Sequence, residues 1–140
     1  MKANTIEEFF GTLQQSTVEA WKSHLKTDKY SSHKALNEFY EDIVDLVDDI
    51  IEEYQGIYGK IEDYKNIMST DEQSAIDYLE SLKEMVRDGR KRFFEDTPEL
   101  QSDADAILSL IDSTLYKMKE LKENKGTKSL LDFLNESLGE

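Results

Sequence analysis

From Leu36 to Ile57 the apolar side chains return at the helical period without a break: Leu36, Phe39, Tyr40, Ile43, Leu46, Val47, Ile50, Tyr54 and Ile57. A stripe of this length predicts one helix from Ser31 to about Tyr58, roughly 42 Å long. A helix with one apolar face cannot bury that face alone, so the rest of the chain must supply partners.

Three further stretches meet that need. Ile6, Phe9, Phe10, Leu13, Thr17, Ala20, Trp21 and His24 trace a helix from about Thr5 to Leu25, with Thr5 and Glu8 spaced as a capping box and the polar run Lys26 to Lys29 as the turn that follows. After Gly56 and Gly59, the segment IEDYKNIM reads as a connector with room for a short helix. Ser69 and Glu72 form a second capping-box pattern ahead of Ala75, Leu79, Leu82, Val86 and Phe93, a third stripe that ends before Asp96. The sole proline, Pro98, follows the cap Thr97 at a first helical position and opens a fourth stripe of Leu100, Ala104, Ile107, Ile111, Leu115, Met118 and Leu121, with Gly126 as its C-cap. The final SLLDFLNESL puts Leu130, Leu131, Leu134 and Leu138 on one side of a short tail helix, packed on its own bundle or docked on another subunit or partner. The pattern predicts an all-α protein: an antiparallel four-helix bundle with short loops over residues 1–126 and a C-terminal tail helix over 127–140.

Charge narrows the function. The 31 acidic and 17 basic residues give a net charge of -14, a field that repels nucleic acid and anionic lipid and favours cations or basic protein surfaces. There is no cysteine, so disulfides and thiolate chemistry are excluded. No apolar run approaches ~20 residues and no signal sequence is present, so a soluble, cytoplasmic protein away from membranes is expected. No glycine-rich phosphate loop, GxSxG elbow, HExxH motif or calcium-binding loop occurs. Tyr40, Tyr54, Tyr58 and Tyr116 fall at helical spacing, and core packing is their expected role.

The chain holds two histidines, His24 and His33, both within HLKTDKYSSH. His24 lies on the apolar side of the first helix, and His33 opens the second. On a helical wheel His33, Asn37, Asp48 and Glu52 share one flank of the long helix, and Asp48 and Glu52 are spaced so that both carboxylates can reach one cation. About 16 Å of helix separates Asn37 from Asp48, so the two pairs cannot meet on one ion within a chain. An antiparallel, twofold-related copy would set its Asp48 and Glu52 opposite the histidines. Spacing alone leaves a second reading open, in which the histidines pack or cap the turn and the acids are a solvated face.

The segment from Trp21 to Gly56 resembles the Dps-type mini-ferritins in the HKALN run from His33 to Asn37 and the DDIIE run from Asp48 to Glu52. More closely, HLKTDKYSSHKAL followed by FYEDIVDLVDDIIEEYQG resembles a phage-encoded, ferritin-like family whose members lack an assigned function. The resemblance implies a homo-oligomer with an inter-subunit site for ferrous or ferric iron, His24 and His33 from one subunit meeting Asp48 and Glu52 of another. Asn37 stands where mini-ferritins carry an acid, so it enters as a neutral oxygen donor or a residue that orients the ligands. The implied activity is ferroxidase or iron detoxification. The alternative is a catalytically inactive ferritin-like bundle, an accessory or virion protein of a phage that binds a host protein or a small molecule in the host cytoplasm.

Overall fold

Thr5 opens the first helix as its spacing predicts: its hydroxyl accepts from the Glu8 N–H at 3.2 Å, and the Glu8 carboxylate accepts from the Asn4 N–H at 2.8 Å. The computed structural model describes residues 2–121 and contains α1 (Ile6–Lys26), α2 (Tyr30–Tyr58), α3 (Ala75–Phe93) and α4 (Pro98–Glu120). No strand occurs among the described residues, and Gly126 and the expected tail helix lie outside them. The fold is all-α, as expected.

Contacts between elements fix the topology. The His24 and His33 rings stack, joining the end of α1 to the start of α2. Lys117 of α4 pairs with Glu38 of α2 at 2.8 Å at that same end, and Lys119 pairs with Glu80 of α3. At the opposite end Tyr58 of α2 hydrogen-bonds Thr97 between α3 and α4, and Arg92 of α3 donates to the Ala3 carbonyl. α1 and α4 therefore run one way, and α2 and α3 the other. The structure corrects one expectation: α2 and α3 are not joined by a short loop but by residues 59–74, which return the length of the bundle. One long crossover thus joins two helix pairs, α1 with α2 and α3 with α4.

IEDYKNIM is a connector, as read, and does not use its room for a short helix, because its backbone finds partners on α1 instead. Gly59, at φ +99°, swings the chain out of α2. The Lys65 N–H then donates to the Glu7 carbonyl at 3.1 Å, the Ile67 N–H to Thr12 Oγ1 at 3.1 Å, and the Thr70 N–H and hydroxyl to Glu19 Oε1 at 2.7 and 2.8 Å. A β-carbon at Gly11 would lie 2.4 Å from the Lys65 backbone, so only glycine admits so close an approach. Burial alone would push the Glu19 carboxyl up, but hydrogen bonds from Gln15 and from the Thr70 backbone and hydroxyl, with the charge of Lys22, hold it below the ordinary carboxylate value.

That anchoring also moves the start of α3. Ser69 does not cap a helix: its hydroxyl accepts from the Asp71 N–H at 3.2 Å and its carbonyl from Gln73 at 2.9 Å, closing a turn. Helix begins only once the chain is past Thr70, with Ser74 accepting from the Asp77 N–H at 3.1 Å.

The core runs along the bundle axis through Leu13, Ile43, Ile50, Leu82, Val86, Ile107 and Ile111, and ends in a cluster of Phe9, Phe10, Tyr54, Phe93 and Phe94. Three aromatic expectations are corrected. Trp21 is 51% exposed, and Tyr58 and Tyr116 also face outward, while Tyr40 and Tyr54 pack on the core. Glu19, absent from the stripe read on α1, is buried on nearly the opposite side of the helix from Trp21, against the connector. No helix among the described residues is long and apolar enough to cross a membrane.

Candidate metal centre

α1 ends at Lys26, leaving its last carbonyls without intrahelical partners. His33, in the first turns of α2, fills one of those places: its Nδ1 donates to the His24 carbonyl at 2.9 Å. His24 returns the contact, its Nδ1 donating to the His33 carbonyl at 2.7 Å. The rings lie 3.7 Å apart with planes 23° from parallel, and Tyr40 meets His24 edge-on at 5.3 Å. A carbonyl can only accept, so each Nδ1 carries the hydrogen, and Nε2 is the nitrogen left to bear the lone pair in the neutral form of each ring. Ligating histidines are commonly fixed in this way.

Asn37 lies about one turn further along α2, where its Oδ1 accepts from the Tyr40 hydroxyl at 2.7 Å. Asp48 and Glu52 are exposed, and they form a group with Asp49 in which one oxygen of each carboxylate lies within 4.8 Å of the others. Oxygen-only donors at that separation suit a hard divalent cation. Asp48 also edges a shallow groove between α1 and α2, with Gln14, Thr17, Val44, Val47 and Ile51.

The predicted residues thus fall into two sets. His24 and His33 meet each other, with Asn37 beside them; Asp48 and Glu52 meet each other but not the histidines. Among the described residues, neither histidine belongs to a group of three close ligands. Sequence reasoning missed Asp49 as a member of the acidic group, although its position beside Asp48 was a signal. Between the two sets the outer seam of α1 and α2 exposes apolar side chains: Val18, Trp21 and Leu25 on α1, and Val44 on α2. Trp21 rests against Tyr40, with ring centroids 6.2 Å apart.

A second acidic cluster was not foreseen. Glu53 of α2 and Asp103 of α4 each bury one carboxylate oxygen that has no hydrogen-bond donor. Glu53 is pushed up to about 7, first by its hydrogen bond with Asp103, then by desolvation and by the charges of Asp103, Glu99 and Asp49. The Asp103 carboxyl facing Glu53 across the α2–α4 seam thus favours the protonated form of Glu53.

Residues 24–118 match the model of a family described as "Family of unknown function (DUF5856)", and the chain belongs to that family. The match begins at His24 and takes in the connector. The chain is also similar to a protein of Enterobacteria phage T4 described as "Uncharacterized 14.6 kDa protein in mobD-ri intergenic region", with 23% identity over 115 residues that cover 82% of this chain and 88% of the phage protein. No solved structure matches.

Proposed function

We propose that this DUF5856 member binds a divalent cation, ferrous iron foremost, at sites completed between two copies of the chain. The observation that carries the reading is the pinning of both histidines through Nδ1, which leaves two Nε2 donors fixed in orientation before any ion arrives. The partner set is the exposed carboxylates of Asp48 and Glu52, with Asp49, on a second, antiparallel copy. Asn37 is a neutral oxygen near the histidines, already engaged by Tyr40. A copy docked along the α1–α2 seam would also cover Trp21, Leu25 and Val44.

The crossover connectivity supports a ferritin-like reading, and the resemblance to mini-ferritins supplies the candidate chemistry. Ferrous iron, as substrate, would give electrons to dioxygen or peroxide, and the carboxylates would stabilise the ferric product.

A second reading has its own observation. The reciprocal histidine contacts already close the turn between α1 and α2, a structural task that needs no metal. On this reading the chain is a catalytically inactive accessory or virion protein that binds a host protein or small molecule, as a phage relative makes reasonable.

Metal content after anaerobic loading with ferrous iron separates the two. The cation reading expects His33→Ala and Asp48→Ala each to lower affinity at least about tenfold. Equal metal content in both variants and the parent would end that reading in favour of the second.

A further inference from the structure

We infer that a cleft at the histidine end of the bundle is the docking site for the chain's own C-terminal segment, residues 129–138. The inference does not depend on the cation reading. The cleft, of about 440 Å³, opens where α1 meets α2, α3 begins and α4 ends. Leu36, Ala75, Ile76 and Met118 give it apolar walls, and Lys26 and Lys29 stand on its rim beside Asp28.

The charge of this end is unusual for a chain of net charge -14. Besides the two lysines, the N-termini of α2 and α3 both open here, and among the described residues no side-chain hydrogen bond caps α2 at Lys29. Helix N-termini favour negative charge. The cleft therefore fits a segment that is apolar on one side and acidic on the other.

Residues 129–138 have that composition: Leu130, Leu131, Leu134 and Leu138 alternate with Asp132 and Glu136. The chain leaves α4 beside the cleft, since Met118 is part of the wall and α4 ends at Glu120. From Leu121 to Ser129 the backbone can reach up to ~27 Å, more than enough to place the leucines over Ile76. A segment tethered this closely acts at an effective concentration in the millimolar range, which a second copy or a foreign peptide rarely matches.

The chain has no cysteine, so a designed disulfide reports the contact cleanly. In the full chain, the pair Ile76→Cys with Leu134→Cys should oxidise at least about tenfold faster than the control pair Lys91→Cys with Leu134→Cys, and the product should have monomer mass. Lys91 is exposed near the far end of α3. Gln73→Cys can replace Ile76→Cys if the latter impairs folding. Adding Lys26→Glu and Lys29→Glu should slow the reaction several-fold. Equal rates in the test and control pairs would overturn the inference, as would a product of dimer mass, which would assign the cleft to a second copy.

Discussion

Gly11 and Glu19, two turns apart on α1, decide where the connector lies. Gly11 permits contact with the Lys65 backbone, and Glu19 holds Thr70 by two hydrogen bonds. Gly11→Ala should push the connector off the helix at a cost of about 1–3 kcal/mol, despite alanine's better helix propensity. Urea denaturation should register the loss, and faster hydrogen exchange of the Lys65 amide should localise it. Glu19→Ala leaves the Thr70 N–H and hydroxyl without their acceptor and should cost about 3 kcal/mol. Because the Glu19 carboxyl is held below its ordinary 4.5, its stabilisation is complete above that pH and is lost as the pH falls through the lowered value. Neither role was read from the sequence. Thr12, Ser16 and Glu19 share a buried face of α1, but a polar strip on a helix usually faces water, and only a returning segment of chain gives it a reason to be inside.

The helices themselves were legible because each carries a long stripe at the right period; of the caps read in the sequence Thr5 is kept, whereas Thr97 makes no side-chain cap, its hydroxyl being engaged with Tyr58. Thr5 and Pro98 mark starts that the structure keeps within a residue or so. The start of α3 was misplaced because the Ser69 pattern is local, whereas the tether that delays the helix comes from Glu19, distant in sequence. At the α2–α4 seam Glu53 faces Asp103, with Glu99 and Asp49 adding to the negative field. Glu53 titrates near 7 in the folded chain against 4.5 ordinarily, so the native state binds the proton more tightly than the unfolded chain. Its contribution to stability is therefore full below pH 4.5 and disappears as the pH rises through about 7. Glu53→Gln should remove that dependence, leaving the variant more stable than the parent at pH 8 and flattening the melting temperature between pH 5 and 8. A parent melting temperature independent of pH over the same range would contradict the raised Glu53 carboxyl.

At the scale of the whole molecule, the candidate site is legible in the sequence only by halves. HLKTDKYSSH and DDIIE supply the candidate donors, and their separation along one helix implies a second chain, but the sequence leaves ligation and closing of the turn as alternatives, whereas the fold shows the reciprocal contacts by which the imidazoles fasten the turn. The proposed assembly predicts a solution mass of at least a dimer at micromolar concentration. Trp21→Asp on the α1–α2 seam should raise the dissociation constant at least tenfold, about 1.4 kcal/mol, with helix content unchanged. A parent protein that sediments strictly as a monomer would remove the basis for a shared site.

The crossover has a mechanical consequence. Because α1 and α4 point the same way, residue 2 and residue 121 emerge from opposite poles of a rod about 35 Å long. Force applied through those residues pulls α1 and α4 along their lengths, loading the packing of each against α2 and α3 in shear instead of peeling one hairpin open turn by turn. Two proteins fused to the two ends of this bundle would therefore be held apart by a strut.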